Sequence, residues 1–298
     1  MLFERLEMSL AGPFPEGEGE VRWVTVEWLN EHLDDDITII DCQPNVHDFI
    51  RGHIPGAIYL AEESMRLSQQ GYPHVWLPSA MAQEILQTVG VSEGKQVVVY
   101  TQTNPNLPTG DGVPQGMIAY SLARYGHSRI LLLDGGLEAW IRDARKLGTK
   151  YSATKKGDFK ALPRKDLTIK YSDFLRIKDD DDVVHIDSRS SAQYQGKSPW
   201  PKEGHIPGAI NIPWSEIFTS DNLAKLRSKE DLMQLMSNSG ISQEKQIICH
   251  CGSGRKAAAQ LCVLKWFLGY PNVRLFEGSF TEWCLHEENQ TAIGSQPG

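Results

Sequence analysis

The sequence predicts an α/β protein made of two tandem copies of one domain, each with a mostly parallel central sheet flanked by helices on both faces. Two repeated motifs lead to this prediction. The heptapeptide Gly-His-Ile-Pro-Gly-Ala-Ile stands at residues 52–58 and returns unchanged at residues 204–210. An aspartate-rich turn, a short apolar run and a further aspartate stand at 34–42 and return at 179–188. An offset of about 150 residues is too long for a solenoid repeat and is typical of a duplicated domain.

Within each copy, short runs rich in β-branched residues alternate with stretches that have a helical spacing of apolar residues. This alternation is typical of a parallel sheet that is covered on both faces. The first copy is predicted to have strands at 37–41, 58–60, 96–100 and 130–133, and helices at 25–32, 78–89 and 115–125. The second copy is predicted to have strands at 183–187, 209–212, 246–250 and 273–276.

The repeats and the segments between them predict the domain boundaries. Residues 1–20 lack the basic start and apolar core of a signal peptide, and we expect them to form a loose arm. The first domain is then 21–154 and the second is 167–298. Residues 155–166 are charged and contain glycine and proline, which is typical of a solvated linker.

Composition excludes several classes of function. A formal net charge of -8 argues against general nucleic-acid binding. The sequence contains no run of 18 apolar residues, so no membrane-spanning helix is predicted. The five cysteines form no CxxC pair, which favours a reducing, cytoplasmic location and gives no metal site. The aspartate runs before the strands are read as solvated turns rather than as metal ligands.

The segment Cys-Gly-Ser-Gly-Arg-Lys at 251–256 is the strongest functional signal. It follows a predicted strand and precedes a helical pattern, so Cys251 is expected at a strand-to-helix turn. The glycines let the backbone curl around the sulfur, and the amide N–H groups and helix dipole then favour an anion there. We therefore predict a nucleophilic thiolate rather than an inert buried cysteine. The candidate substrate-binding residues of this loop are Gly252, Ser253, Gly254, Arg255 and Lys256.

The two histidines of the repeated heptapeptide, His53 and His205, permit a structural and a functional interpretation. Proline and glycine shape a tight turn there, and a histidine can stabilise it by bonding the backbone. We favour the structural interpretation for both, more strongly for His205 than for His53.

These motifs resemble those of the tandem-domain rhodanese sulfurtransferases, which include thiosulfate and 3-mercaptopyruvate sulfurtransferases. The resemblance extends from about Thr25 to Trp283 and includes the Asp-Ser-Arg motif that ends at Arg189. It implies two rhodanese-like domains, of which the second is catalytic and the first has lost its cysteine. In the first domain the equivalent loop begins at Thr101 and is long, reaching Pro114.

The resemblance also implies the chemistry. The thiolate of Cys251 would take a sulfur atom from a small anionic donor, thiosulfate or 3-mercaptopyruvate. It would then pass this sulfur from a persulfide to cyanide, a thiol or a thioredoxin-like protein, by ping-pong kinetics and without metal or organic cofactor. Arg189 matches the arginine that binds the anionic group of the donor. Gln195 replaces a second arginine of the mercaptopyruvate type, so the motifs of the two donor classes are mixed.

A catalytic relay of serine, histidine and aspartate is only partly matched. Ser253 and His53 correspond to two members of the family's relay, but Pro44 stands where its aspartate is expected. We expect the active site between the two domains, with the first domain forming a wall that includes His53 and excludes water from Cys251.

Two other functions remain open at this point. Rhodanese-like cysteine phosphatases have an arginine six residues after the cysteine, where this chain has Ala257. A non-catalytic binding or scaffold module would not need Cys251. The physiological donor and acceptor, the oligomeric state and the role of the insertion at 101–114 are also left open.

Overall fold

The computed structural model describes residues 16–69, 71–104, 106 and 110–298. The first domain has strands β1 (Val21–Val24), β2 (Thr38–Asp41), β3 (Ile58–Tyr59), β4 (Arg66–Gln69), β5 (Tyr72–Trp76), β6 (Val97–Tyr100) and β7 (Ile130–Leu133). Its helices are α1 (Val26–Glu31), α2 (Val46–Arg51), α3 (Ser79–Thr88), α4 (Pro114–Arg124) and α5 (Gly136–Arg142). Five strands form a parallel sheet in the order β1-β7-β6-β2-β3, and β4 and β5 form a separate antiparallel hairpin.

The second domain repeats this arrangement. Its strands are β8 (Thr168–Ile169), β9 (Val183–Asp187), β10 (Ile210–Asn211), β11 (Phe218–Thr219), β12 (Asn222–Leu226), β13 (Gln246–His250) and β14 (Val273–Phe276). Its helices are α6 (Tyr171–Ile177), α7 (Ser191–Tyr194), α8 (Lys229–Asn238), α9 (Arg255–Cys262) and α10 (Ser279–Leu285), and a π-helical turn, Val263–Phe267, continues α9. The parallel sheet has the order β10-β9-β13-β14-β8, which is the first domain's order read from its other edge. The predicted fold class and duplication are therefore confirmed.

The predicted strands of both sheets are present to within two residues at either end. The edge strands β1 and β8 and the two antiparallel hairpins, β4–β5 in the first domain and β11–β12 in the second, were not predicted. β8 is two residues long, and Pro73 interrupts the strand pattern of β5. The hairpins add no strand to either sheet, so the β-α alternation that predicts the sheets carries no signal for them.

The two domains meet through α4 and α9, which pack closely because small residues face each other. A Cβ atom added to Gly116 would lie 2.6 Å from the Cβ atom of Ala259, and the Cys262 Sγ atom is 3.5 Å from the Gly116 carbonyl oxygen. Each of these helices follows the central strand of its sheet and the loop after that strand. The contact therefore brings both central loops to the boundary between the domains.

The predicted N-terminal arm needs a correction. Residues 1–15 lie outside the described residues. Residues 16–20 are not loose, because Glu16 and Trp23 exchange two backbone hydrogen bonds of 3.0 and 2.7 Å. The N–H group of Glu18 donates to the carbonyl oxygen of Trp266, and the indole N–H of Trp266 donates to the carboxylate of Glu20 at 2.6 Å. This part of the arm therefore ties β1 to the second domain.

The predicted linker, 155–166, lies along the first domain. Phe159 is buried in the apolar core, and the N–H group of Leu162 donates to the carbonyl oxygen of Tyr125 at 2.8 Å. Most other residues of the segment are exposed. None of the helices in the described part of the chain is long and apolar enough to cross a membrane.

Candidate active site

Cys251 directly follows β13, the central strand of the second sheet, and its side chain is buried, with 2% of its surface exposed. Its N–H group donates to the hydroxyl of Ser279 at 3.1 Å, and its carbonyl oxygen accepts from the N–H of Phe280 at 2.9 Å. The carbonyl oxygen of Gly252 accepts from the N–H of Thr281. The start of α10 therefore holds the cysteine loop in place at the carboxyl end of the sheet, where sites in open parallel sheets form.

Both glycines of the loop are required by their surroundings. A Cβ atom on Gly252 would overlap the indole ring of Trp200. Gly254 caps α9 with a φ of +78°, and a Cβ atom there would lie 2.7 Å from the carbonyl oxygen of Glu277. The sequence prediction that these glycines allow a tight curl around the sulfur agrees with this geometry.

The loop presents backbone donors that the protein does not use. No described residue accepts a hydrogen bond from the N–H groups of Gly252, Ser253 or Gly254. The first turn of α9 follows at once, and helix N-termini carry a partial positive charge. This arrangement is suited to an anion such as a thiolate, a persulfide or the negative end of a donor.

Arg189 lies deep beside the loop, with only 1% of its surface exposed. Its Nε and Nη2 atoms donate to the carboxylate of Asp187, and Nη2 also donates to the carbonyl oxygen of Gly204 at 2.8 Å. The guanidinium lies 3.9 Å from the ring centre of Phe280 and 5.3 Å from that of Trp200. Its Nη1 atom is buried without a hydrogen-bond partner, so Arg189 keeps one donor for a ligand.

Arg255 does not match its predicted role as a donor-binding residue. Its Nε atom donates to Glu62 at 2.5 Å, and its two Nη atoms donate to Asp111 at 2.7 and 2.9 Å. Both acids belong to the first domain. Burial raises the pKa of Glu62 to about 7, and the Arg255 guanidinium opposes this rise. Arg255 is therefore an ionic link between the domains.

The positively charged side chain of Lys256 lies beside the loop. Its side chain is partly exposed, and its ammonium nitrogen lies 5.0 Å from the ring centre of Trp214. This cation–π contact places a positive charge near the first turn of α9.

The comparisons with known proteins agree with this geometry. The model of the rhodanese-like domain matches residues 25–143 and 171–286, which is most of the chain. This chain belongs to the tandem-domain rhodanese sulfurtransferases. It is 30% identical over 275 residues to the 3-mercaptopyruvate sulfurtransferase of Escherichia coli K12, covering 88% of this chain and 94% of that protein.

A further relative and a solved structure show the same likeness. The sulfur carrier protein TtuD of Thermus thermophilus is 28% identical over 87% of this chain and 92% of its own. The crystal structure of SseA from Escherichia coli superposes with a TM-score of 0.75 and 29% identity, covering 86% of this chain and 98% of that chain. The reaction class, sulfur transfer, therefore applies to this rhodanese.

His53 holds a structural position in this rhodanese, and the predicted catalytic support is not what its contacts provide. Its ring is fully buried, with Nδ1 2.9 Å from the carbonyl oxygen of Phe49 and Nε2 3.2 Å from that of Lys150. His205 repeats this pattern, with Nδ1 2.9 Å from the carbonyl oxygen of Tyr194. Each histidine thus holds the turn of its own heptapeptide. Neither ring nitrogen of His53 bonds to Ser253, which agrees with the incomplete match of the relay in the sequence.

His250 directly precedes Cys251 but is not available as a base for it. Burial is the main cause that lowers the pKa of His250 to about 3, and the charge of Arg189 adds to this effect. Its Nε2 atom lies 3.2 Å from Nδ1 of His185, whose pKa burial lowers as well. Both rings are therefore neutral at pH 7 and belong to the interior of the second domain.

The sequence analysis missed the contribution of the first domain's hairpin to the site. Arg66, at the start of β4, donates from Nη1 to the carbonyl oxygen of Ser253 at 2.9 Å. The ring of Trp76, at the end of β5, lies 2.9 Å from where a Cβ atom on Gly254 would be. Arg66 and Ser253 are 187 residues apart in sequence, and no local motif marks either hairpin residue.

A cavity of about 580 Å³ opens beside the cysteine loop, between this hairpin and the second domain. Ser253 is the member of the loop that reaches it. Its walls combine aromatic and polar side chains, among them Tyr72, His74, Tyr171 and Glu282. A small molecule in this cavity would therefore lie against the loop without being exposed to solvent on all sides.

In the first domain, the loop equivalent to the cysteine loop is packed against the second domain. The hairpin of the second domain covers it, and a Cβ atom on Gly112 would overlap the backbone of Leu223. Asn222 donates to the carbonyl oxygen of Gly135 at 2.9 Å. Thr101 stands where the second domain has Cys251, and its hydroxyl donates to the carbonyl oxygen of Cys42 at 3.1 Å. Each hairpin thus covers the loop of the other domain, and of the two loops the one in the second domain carries the cysteine.

The inserted segment at 101–114 is described in part, because residues 105 and 107–109 lie outside the described residues. Its clearest contact is that of Asp111 with Arg255. Among the described residues, no three His, Cys, Asp or Glu side chains are grouped so that they could hold a metal ion.

Proposed function

We propose that this rhodanese moves a sulfane sulfur from thiosulfate or 3-mercaptopyruvate to a thiophilic acceptor, through a persulfide on Cys251. The observation that carries the proposal is the Cys251 loop itself. A buried cysteine begins a turn whose unused N–H groups and following helix favour a negative charge, at the boundary between two domains. The second domain, 167–298, would supply the chemistry, and the first, 21–154, would cover it.

In the first half-reaction the Cys251 thiolate attacks the outer sulfur of the donor. With thiosulfate, the S–S bond breaks and its electron pair leaves on sulfite, while the new S–S bond makes the persulfide. With 3-mercaptopyruvate, the thiol sulfur is attacked, the C–S bond breaks with its electron pair leaving on carbon as an enolate, and the proton released from the thiol converts the enolate to pyruvate. In either case the negative charge remains on the outer sulfur, within reach of the N–H groups of Gly252, Ser253 and Gly254.

In the second half-reaction the acceptor attacks this outer sulfur. Cyanide leaves as thiocyanate and a thiol leaves as its own persulfide, while the electron pair of the S–S bond returns to Cys251 as a thiolate. The sulfur is the only atom transferred in either step, so no oxidant or reductant is needed. Two such half-reactions through a covalent intermediate give ping-pong kinetics. The cavity beside Ser253 supports entry of a small acceptor from that side.

The burial of Cys251 supports transfer over hydrolysis. A charge-stabilising hydrogen bond is stronger where water is excluded, and the loop lies under Trp200 and Trp76. Arg189 would offer its buried Nη1 atom to the anionic group of the donor. Water would have little access to the persulfide until an acceptor enters.

The two donors remain candidates of equal standing. The relative in Escherichia coli carries the mercaptopyruvate name, and the Cys-Gly-Ser-Gly loop resembles that type. In contrast, Gln195 is exposed and uncharged, where the mercaptopyruvate type has an arginine. A thiol, cyanide or a thioredoxin-like protein would serve as acceptor.

Steady-state kinetics tests the proposal. Initial rates are measured with each donor against cyanide for the wild type, Cys251→Ser and Cys249→Ala, the last being a core cysteine two residues away. We expect parallel double-reciprocal lines for the wild type and for Cys249→Ala, and no transfer by Cys251→Ser. Transfer by a folded Cys251→Ser variant would contradict the assignment, and absence of transfer in the wild type with both donors would contradict the proposed reaction.

The two alternatives have less support. The loop ends at α9, which begins with Arg255, and position 257 holds a buried alanine instead of the arginine that a phosphatase of this type needs. A scaffold role would leave the free loop N–H groups and the adjoining cavity without a use.

A further inference from the structure

Arg66 is a first-domain residue that lies in the active site of the second domain. Its Nη1 atom donates to the carbonyl oxygen of Ser253 at 2.9 Å, and its guanidinium lies 5.5 Å from the ring centre of Trp76. Trp76 in turn lies against Gly254, as described above. Arg66 therefore contacts the cysteine loop from the first domain, whereas α10 supports the loop from the second domain.

The position of Arg66 is fixed by its own domain. Met65 and Trp76, its neighbours along and across the hairpin, are buried, and the N–H group of Leu77 donates to the carbonyl oxygen of Met65 at 3.2 Å. The indole N–H of Trp76 donates to the hydroxyl of Ser121 at 3.2 Å. The guanidinium is thus held by a rigid support and does not need to be ordered when a ligand binds.

Part of the guanidinium is unused. The Nε atom of Arg66 is buried and has no hydrogen-bond partner among the described residues. A buried donor without an acceptor is costly, so such a group is expected to have a partner in some functional state. Burial lowers the pKa of Arg66, while the negative charges of Glu62 and of the Cys251 thiolate oppose this shift. The hydrogen bond to Ser253 places the charge of Arg66 against the loop, two residues from Cys251.

One of the cations that the sequence predicts at the donor, Arg255, is already engaged. Arg255 forms ion pairs with Glu62 and Asp111, so one guanidinium faces two carboxylates there. A doubly negative donor that enters a protein of net charge -8 needs positive charge at the loop itself. Of the cations near the loop, Arg66 lies within hydrogen-bond distance of it.

We propose that Arg66 binds the anionic group of the sulfur donor, so that the donor site is completed by an arginine from the non-catalytic domain. This inference rests on the proposed function, because it names a ligand of the same site. The ligand class is a small sulfonate- or carboxylate-bearing anion. Arg66 takes the place that sequence analysis gave to Arg255, and the two domains thus exchange arginines across their boundary.

Kinetics of Arg66→Gln and Arg66→Met test the inference, with Arg51→Gln as the control. Arg51 is exposed and pairs with Asp48, so its replacement changes the net charge equally but far from the loop. We expect both Arg66 variants to lower kcat/KM for thiosulfate and 3-mercaptopyruvate about 10- to 150-fold, as loss of a hydrogen bond to a charged group predicts. We expect the KM for cyanide to stay within about twofold of the wild type, and Arg51→Gln to behave as the wild type.

A second measurement separates a ligand role from a structural one. Cys251 is alkylated with iodoacetate, which is an anion, and with iodoacetamide, which is neutral and of similar size. Loss of an anion-binding group lowers the iodoacetate rate relative to the iodoacetamide rate, whereas a loosened loop changes both rates together. We expect this ratio to fall about tenfold in each Arg66 variant that keeps the wild-type Tm, and one folded variant is sufficient.

The outcomes of the two tests are distinct. If the wild type transfers sulfur and the Arg66 variants keep their donor kcat/KM and their alkylation ratio within about twofold, the inference is wrong and the proposed function stands. If donor kcat/KM falls but the ratio is unchanged, Arg66 only positions the Ser253 backbone, and the inference is equally wrong. If the wild type transfers no sulfur, the proposed function fails, and the alkylation ratio still reports on the anion site.

Discussion

At the scale of single residues, three arginines near the Cys251 loop have three different sets of partners. Arg189 is buried against Asp187, Arg255 is paired with two acids of the first domain, and Arg66 bonds the loop backbone. All three carry the same charge in the sequence, yet only the fold decides which of them can meet a donor. Substitution of each of these arginines is therefore expected to have a different effect on stability and on donor binding.

Arg189→Ala should lower stability as well as donor binding. The change removes the partner of Asp187, whose carboxylate is fully buried, and an uncompensated buried charge costs about 3–5 kcal/mol. Urea unfolding of the wild type and the variant measures this cost, and Arg51→Ala, which removes an exposed pair, serves as the control. An unfolding free energy of Arg189→Ala equal to that of the control would show that the buried pair is not needed by the fold.

Gly254→Ala should abolish most of the activity, and Gly240→Ala should not. Both glycines have a positive φ, +78° and +71°, so the backbone cost of an alanine is similar, about 1–2 kcal/mol. The space around them differs, because a Cβ atom on Gly240 meets nothing within 4 Å, whereas one on Gly254 meets Glu277 and Trp76. Sulfur transfer and Tm are measured for both variants. Equal activities would mean that the loop tolerates displacement and that its geometry is not what the reaction depends on.

The two histidines of the repeated heptapeptide show how much of a residue's role a sequence motif can predict. Sequence analysis favoured a structural role for His53 and His205, and the backbone contacts of both rings agree. The catalytic reading of His53 came from family resemblance alone. It fails because one nitrogen of the ring approaches the carbonyl oxygen of Lys150, which is 97 residues further along the chain. Contacts of this kind have no local signal in a sequence.

At the scale of elements, the sheets were predictable and the hairpins were not. Runs of β-branched residues such as 96–100 and 246–250 identify central strands of parallel sheets because both their faces are buried. The hairpin of β4 and β5 is held by its own domain but makes its contacts with the cysteine loop in the opposite domain. Its Arg66 and Trp76 meet Ser253 and Gly254 only after the domains have packed together.

The link between Arg255, Glu62 and Asp111 gives the protein a pH dependence. The pKa of Glu62 in the folded protein is raised from 4.5 to about 7, mainly by burial. A carboxyl group whose pKa is higher in the folded than in the unfolded state binds more protons when folded, so its contribution to stability is present below pH 4.5 and is lost as pH rises towards 7. Glu62→Gln should therefore remove the part of the stability loss between pH 4.5 and 7 that comes from the titration of Glu62.

Urea unfolding of the wild type and of Glu62→Gln at pH 5, 6, 7 and 8 measures that contribution. Asp41, whose pKa burial raises to about 6, acts in the same direction, so Asp41→Asn is the matched comparison. The wild type should lose more stability between pH 5 and 7 than either variant. The same slope in Glu62→Gln and the wild type would show that Glu62 titrates normally in the folded protein.

At the scale of the whole molecule, the two copies of the domain differ at the loop after their central strand. This loop begins with Cys251 in the second domain and with Thr101 in the first. The close contact of α4 and α9 brings both central loops to the domain boundary, and each domain covers the loop of the other with a hairpin. The repeat in the sequence predicted two equal domains. It did not predict the exchange of hairpins, because that exchange depends on packing between residues that are 87 and 187 positions apart.

Gly116→Leu tests the dependence of the site on that contact. A Cβ atom at Gly116 already lies 2.6 Å from the Cβ atom of Ala259, so a larger side chain must push α4 and α9 apart. We expect a lower Tm, and we expect kcat/KM to fall by at least about tenfold because Arg66 and Trp76 are displaced from the loop. Ala80→Leu, at an exposed position of α3, is the control. Full activity of a destabilised Gly116→Leu variant would show that the domains need not be closely packed for catalysis.

The most direct test of the account is the mass of the protein after one half-reaction. The wild type is treated with thiosulfate or 3-mercaptopyruvate, freed of donor, and measured intact and after peptide mapping, before and after addition of cyanide. The account predicts one added sulfur atom, located on Cys251, which cyanide removes, and no added sulfur in Cys251→Ser. An added sulfur on a different cysteine, or turnover without any covalent sulfur on the protein, would contradict it.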